Sequence, residues 1–435
     1  MRHDKEQGRP AREGPAGTGP ARRPRLRLIS SLILASTGLL FAAACEFKSE
    51  VRVKEAPVVA ARPLAEAPTP PAAPAPDVRN AAAAQDEARA SEARIRARQL
   101  TDAARFFAGL PVDESSEFYA LAQTDIWKCN ARRADSLWTG FPKVEARMAR
   151  WAQRELTAVF DPTAPVYYPF SGPDIVFPLV FFPCAREYIL VGLEPVGDVL
   201  GRRSLTLQRL DEMLSSCSVA VQDLIRMSFY RTKVMEPEFA ETALKGVLPV
   251  LLVSLARMDR EILDVERGNL DENGGFVRAD EASPEPRFAV RIAFRKAGDA
   301  LVQTLIYFSW DLSNGGLKKR PALAAFLANS GRYFSFLKSA SYLCRKPYFS
   351  RTKKAILDRS YAVLQDDSGL AFSAFSPDAW QVSLYGTYDG PVKLFEDSFE
   401  QDLWEAMKNG AKPLGFRFGY SRASCLTLAI KRGRS

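Results

Sequence analysis

Seven prolines crowd the segment from Pro57 to Pro76, in a strip otherwise built of Ala and scattered charge. Each proline fixes φ and removes a backbone donor, so the strip favours extended polyproline conformation and cannot join a sheet or a helical core. It therefore divides the 435-residue chain into a short front segment and a long remainder that must hold the fold. Extended from Glu46 to Pro76, the strip reaches roughly 100 Å at ~3.1 Å per residue. That length suits a spacer between a membrane surface and a domain; the composition equally suits a tail with no length requirement.

The front segment reads as an address. Residues 1–27 carry eight basic side chains against three acids, and an uncharged run of 17 residues follows from Leu28 to Ala44. A basic start, a short apolar stretch and small residues before a cut site describe a secretory signal peptide. The run also sits at the lower edge of what spans a bilayer, so an uncleaved anchor helix fits it too. Ala42-Ala43-Ala44-Cys45 resembles the lipobox of bacterial lipoproteins, with Ala42 where leucine is usual. The resemblance implies cleavage before Cys45, lipidation of Cys45 (palmitate among the acyl groups) and a membrane partner held through the N-terminal lipid. Glu46 rather than Asp after the cysteine implies the outer membrane, facing periplasm or exterior. The expected organisation is a signal peptide over 1–44, a lipid-anchored Pro/Ala-rich tether over 45–76, an Ala/Arg-rich helix over 77–109 and a globular body over 110–435.

Removing the leader changes the chemistry open to the protein. His3 is the only histidine, so the mature chain lacks imidazole; Ser-His-Asp and Cys-His catalysis and histidine-ligated zinc are excluded. The leader carries +5 of the formal net charge of +9, leaving +4 and no electrostatic case for nucleic acid. Five cysteines remain beyond Cys45, with no Cys-x-x-Cys pair, so neither a redox motif nor structural zinc is expected. At most two disulfides are open to Cys129, Cys184, Cys217, Cys344 and Cys425, and buried free thiols fit as well. No cofactor or metal is expected.

The body mixes helical and strand periodicity, which predicts a single mixed α/β (α+β) domain. Helices are expected at 77–107, 141–160, 205–230, 244–262, 321–343 (split near Ser330-Gly331) and 349–364. Strands are expected at 166–170, 187–193, 288–295, 301–310, 380–386 and 425–431, the middle pair joined as a hairpin over Lys296-Ala-Gly-Asp299. Asn269 to Pro286 reads as a long polar loop.

Candidate sites follow from the carboxylates. Val166-Tyr-Tyr-Pro-Phe-Ser-Gly-Pro-Asp174 leads through an apolar stretch to Arg186-Glu-Tyr-Ile-Leu-Val-Gly-Leu-Glu194, and Gly172 and Glu194 lie 22 positions apart. A strand, a glycine turn and a second strand ending in an acid resemble the opening of a nucleotide-binding βαβ unit. One glycine stands where that fingerprint has three, and Pro173, Pro178 and Pro183 interrupt the crossover, so plain βαβ packing around a Ser-Gly-Pro-Asp turn is the simpler expectation. Gln365-Asp366-Asp367-Ser368-Gly369 reads first as a turn, and second as adjacent acids that bind a cation or share a proton. A carboxylate-dependent hydrolase acting on envelope polysaccharide would draw on Asp174, Glu194, Asp366 and Asp367, with Trp310, Trp380, Tyr385 and Tyr388 available for sugar stacking or for the core. Ser350-Arg-Thr-Lys353 has serine–lysine spacing, but a helix start with Ser350 as N-cap explains it. Asp264 to Gly275 lacks EF-hand offsets. Tyr168-Pro-Phe-Ser-Gly-Pro-Asp174, Gly192-Leu-Glu-Pro195 and the Gln365–Gly369 turn together resemble a group of bacterial envelope lipoproteins without assigned activity. That resemblance implies a lipid-anchored protein with a binding or structural role and transfers no catalytic residue.

Overall fold

The computed structural model describes residues 78–199, 201, 205–227, 244–280, 285–391, 398–419 and 423–433. The leader, Cys45, the tether and Asp77 lie outside the described residues. Helices run over Val78–Phe107 (α1), Tyr119–Ala122 (α2), Asp125–Trp138 (α3), Phe141–Leu156 (α4), Val176–Phe181 (α5), Leu207–Met227 (α6), Leu248–Arg257 (α7), Asn314–Lys319 (α8), Ala322–Asn329 (α9), Ser350–Arg359 (α10) and Gln401–Gly410 (α11). Strands run over Val166–Tyr168 (β1), Glu187–Gly192 (β2), Arg260–Leu270 (β3), Phe276–Arg278 (β4), Ala289–Lys296 (β5), Val302–Ser309 (β6), Tyr333–Leu337 (β7), Ser360–Gln365 (β8), Trp380–Gly386 (β9) and Cys425–Lys431 (β10). Among the described residues, no helix is long and apolar enough to cross a membrane.

All ten strands form one sheet in the order β4-β3-β5-β6-β2-β1-β7-β8-β10-β9. Its centre is parallel: β6, β2, β1, β7 and β8 pair in that sequence and in one direction. The margins are antiparallel, with the β3–β4–β5 meander on one side and β10 and β9 on the other. The expected hairpin is present as β5 and β6, from Ala289 opposite Phe308 to Arg295 opposite Val302. A mixed α/β domain is the observed class.

Side chains alternate across the parallel strands because successive Cβ atoms point to opposite faces. Val166 and Tyr168 of β1, Tyr188 and Leu190 of β2, and Phe334 and Phe336 of β7 enter one core with α4, α5 and α7. Tyr167, Ile189, Val191, Tyr333 and Leu337 enter a second core with α8, α9 and α10. The chain runs β1–α5–β2 on the first face, then crosses from β6 to the far side of β1 and continues β7–α10–β8 on the second. This is a doubly wound sheet whose strand order reverses between β1 and β7. In such sheets the crevice beyond the strand carboxyl ends at the reversal is where ligands bind.

Three helical expectations are corrected. The helix expected over 244–262 ends at Met258, where Asp259 takes a left-handed φ of 58° and turns the chain into β3. The second half of 321–343 is strand β7 followed by a 3₁₀ turn at Ser339–Arg345, and the second half of 349–364 is strand β8. Both strands are buried along their whole length. A strand covered on both faces reads as an unbroken apolar run, and its period is lost. Within the expected loop, β4 pairs with β3 from Gly268 opposite Arg278 to Leu270 opposite Phe276.

Phe336 lies at the middle of the first core, with the rings of Tyr168, Phe181, Phe182 and Phe418 within 6.3 Å between centroids. Phe336→Ala should cost about 3–5 kcal/mol of unfolding free energy, read from urea denaturation; a loss near zero would place this cluster outside the cooperative core.

Candidate functional site

The site is assembled from the loops that leave the parallel strands at their carboxyl ends. β1 ends at Tyr168, and within four residues the chain takes two left-handed conformations, Phe170 (φ 58°) and Gly172 (φ 52°). Left-handed backbone is costly for a bulky residue, so Phe170 marks a turn held by its surroundings. Ser171 donates its N–H to the Val191 carbonyl at 2.8 Å, tying the turn to β2, and its hydroxyl donates to the Gly172 carbonyl at 2.9 Å. The turn delivers Asp174 to the start of α5, where Oδ1 accepts the Phe177 N–H at 3.3 Å.

Asp174 meets Lys338, the first residue beyond β7. Nζ stands 2.7 Å from Asp174 Oδ2, with the side chains 0% and 1% exposed. The Tyr168 hydroxyl donates to the same oxygen at 3.0 Å, and Nζ lies 3.7 Å from the Phe177 ring centroid. Burial pulls the Lys338 pKa below the usual lysine range, and the Asp174 carboxylate opposes that pull. A buried pair is worth little against an apolar substitute, yet removing one partner strands a charge in the interior.

Glu194 follows β2 and is 0% exposed. Tyr307 of β6 donates its hydroxyl to the Glu194 carbonyl at 3.0 Å and to Oε2 at 3.2 Å. The carboxylate lies over two glycines. A Cβ on Gly192 would fall 2.4 Å from Oε2 and 2.6 Å from the Tyr307 hydroxyl, and one on Gly172 would fall 3.3 Å from Oε1. Neighbouring Leu193 is 49% exposed, whereas the Glu194 side chain is buried.

Asp366 and Asp367 leave β8 next to the β7 exit that carries Lys338, the Asp366 N–H donating to the Leu337 carbonyl at 3.3 Å. Asp366 Oδ1 accepts the Ser368 N–H at 2.9 Å and the Ser368 hydroxyl, which closes the expected turn. Asp366 Oδ2 has no hydrogen-bond partner among the described residues. The Tyr342 hydroxyl donates to Asp367 Oδ2 at 3.0 Å. Arg345 spans the cluster, donating to the carbonyls of Gly369, Ser398 and Asp367 and pairing with Glu400 at 2.6 Å. Four buried carboxylates (Asp174, Asp366, Asp367, Glu400) thus face two cations, Lys338 and Arg345, among the described residues. Burial raises the pKa values of Asp366 and Glu400, and burial together with the Asp366 charge pushes Asp367 up to about 7. A proton retained at the Asp366–Asp367 pair lowers the charge excess.

The other candidates take structural places. Trp310, Trp380, Tyr385 and Tyr388 are all buried in packing contacts. Ser350 is corrected: it is the first residue of α10 and caps nothing, while Asn314 Oδ1 accepts the Arg351 N–H at 3.0 Å. The five cysteines of the body are free thiols, Cys129 and Cys184 exposed and Cys217, Cys344 and Cys425 buried. Sequence reasoning missed Lys338, Tyr307, Tyr342, Arg345 and Glu400. The available signal for Lys338 was a lone charge directly after the apolar run Tyr333–Leu337.

No family model, no curated protein and no solved structure matches the chain. The raised Asp367 pKa sets a pH dependence. The folded state holds a proton that the unfolded chain releases near pH 4, so this group's contribution to stability is complete below that pH and is lost as pH rises through about 7. Asp367→Asn should therefore gain stability over wild type between pH 5 and 8 in thermal melts; a constant difference across that range would contradict the assignment. Gly192→Ala should destabilise the fold at every pH in the same assay, because its Cβ collides with Glu194 and Tyr307; an unchanged melt would show that the carboxylate is not held there.

Proposed function

We propose that this chain is a lipid-anchored protein of the bacterial outer membrane whose α/β body binds a ligand in the crevice at the carboxyl edge of its parallel strands. One observation carries the binding half: the reversal between β1 and β7 gathers the Ser171–Asp174 turn, Glu194, Lys338 and Asp366 at a single edge. Doubly wound sheets place ligands at that point whatever their chemistry, so the position supports binding and leaves the reaction, if any, to the residues. The anchor half rests on the basic leader, the apolar run and the lipobox-like Ala42–Cys45.

The same contacts weigh against a polysaccharide hydrolase. Such an enzyme needs two carboxyl groups free to exchange protons with the sugar and with water. Here Asp174 is held by Lys338 and Tyr168, Glu194 by Tyr307, Asp366 by Ser368 and Asp367 by Tyr342. Each acid already has an intramolecular partner, and binding is the reading that leaves those contacts in place.

Two experiments test the proposal. Cys45→Ser should shift the protein from the membrane to the soluble periplasmic fraction; unchanged fractionation removes the lipid anchor. Full-length protein in detergent should gain thermal stability from at least one compound in a panel of metabolites and envelope saccharide fragments. Leu193→Trp, at the exposed rim beside Glu194, should abolish that gain. No stabilising compound, or a gain indifferent to Leu193→Trp, overturns binding at this edge.

A further inference from the structure

We infer that Lys338 and Asp174 close an amide cross-link within the chain, Lys338 Nζ bonding to the side-chain carbon of Asp174 with Asp366 as proton relay. The inference stands apart from the ligand reading, because a bond formed inside the fold needs no opening to solvent. Nζ lies 2.7 Å from Asp174 Oδ2, and the two side chains are 0% and 1% exposed. An amine and a carboxyl group held this close react as parts of one molecule, and effective concentrations of well-oriented pairs reach roughly 10⁵–10⁸ M. In water, hydration keeps both groups charged and unreactive. Here burial lowers the Lys338 pKa and so favours the neutral amine that can attack. A neutral amide also relieves the desolvation that two buried charges carry.

The groups around the pair supply what the condensation needs. Both Asp174 oxygens accept donors, Oδ1 from the Phe177 N–H at 3.3 Å and Oδ2 from the Tyr168 hydroxyl at 3.0 Å, which draws electrons from the carbon under attack. The Phe177 and Phe418 ring centroids lie 3.7 Å and 5.5 Å from Nζ, so aromatic faces line the amine. Leu337 and Gln365 are register partners on β7 and β8, which makes Lys338 and Asp366 the next residues along neighbouring parallel strands. Asp366 acts electrostatically on Lys338, and its Oδ2 is buried without a hydrogen-bond partner among the described residues. Consecutive residues reach both groups: Phe418 faces Nζ, and a Cβ on Gly419 would fall 3.1 Å from Asp366 Oδ2. Two charges suffice for an ion pair that serves packing alone; a third carboxylate with an unpartnered oxygen adds a group that can carry a proton.

The step balances without a co-reactant. A proton passes across the 2.7 Å contact from Nζ to Oδ2, giving a neutral amine and a carboxylic acid. The nitrogen lone pair forms the Nζ–Cγ bond, and the Cγ–Oδ2 bond breaks with its electron pair leaving on oxygen. Asp366 takes one proton from the nitrogen and returns one to the departing hydroxyl, so it ends as it began. The products are one amide and one water. The new bond closes a loop between residues 164 positions apart and ties the β1 exit to the β7 exit where strand order reverses. A closure of that length restricts the unfolded chain and hardens the fold against unfolding and proteolysis.

The test is mass spectrometry of peptides from full-length protein purified in detergent, incubated folded, then denatured and digested with trypsin. A branched peptide should join the fragments that carry Asp174 and Lys338, one water lighter than the two together and uncut after Lys338. Lys338→Met and Asp174→Ala should each remove it. Asp366→Asn, which keeps both bonding partners, should lower the branched fraction at least tenfold after equal incubation. If these variants fail to fold, the wild-type digest decides alone. Absence of the branched peptide from wild type after prolonged incubation shows a plain ion pair and overturns the inference. A branched peptide that persists in Lys338→Met, or one undiminished in folded Asp366→Asn, overturns it as well.

Discussion

The carboxyl edge of the sheet depends on one buried ion pair, Asp174 with Lys338. β1 and β7 are sequence-distant neighbours at the point where strand order reverses, paired through Val166–Phe334 and Tyr167–Ser335. Asp174 ties the β1 exit to α5 through the Phe177 N–H, and Lys338 ties the β7 exit to Asp174. Burial lowers the Lys338 pKa, and the Asp174 carboxylate and the nearby Phe177 and Phe418 rings favour the charged ammonium.

That pair also conditions its surroundings. With Lys338 engaged, Arg345 is left to serve Asp367 and Glu400, and Asp366 turns to its own Ser368. Burial favours a proton at the Asp366–Asp367 pair and the Asp366 charge adds to this at Asp367, against the opposing pull of Arg345 and, at Asp366, of Lys338. Glu194 lies at the β2 exit, where a tyrosine hydroxyl orients it over glycine backbone. One edge thus contains an ion pair between the β1 and β7 exits, an acid pair with raised pKa values beyond β8, and an oriented acid beyond β2.

What the sequence made readable was local. β9 and β10 match their expected bounds, and the hairpin at Lys296–Asp299 was evident from its turn residues. Tyr333–Leu337 and Ser360–Gln365 read as helix in the sequence because strands buried on both faces have no polar phase. β3 escaped because its charges, Glu261 and Glu266, are matched across the sheet by Arg295 and Arg291, and a register shift at Ile262/Asp264 breaks the alternation. Asp174, Glu194, Asp366 and Asp367 were singled out as acids near turns, and the fold brings their strand exits to one edge. Their partners were beyond reach: Lys338 lies 164 positions from Asp174 and Tyr307 lies 113 from Glu194, contacts that only the sheet order creates.

A double-mutant cycle on Asp174→Asn and Lys338→Met measures the central interaction directly. Each single variant should lose about 3–5 kcal/mol of unfolding free energy, and the double variant should lose clearly less than their sum because no charge is left stranded. Additive losses, or single variants as stable as wild type, would contradict the dependence of this edge on the pair.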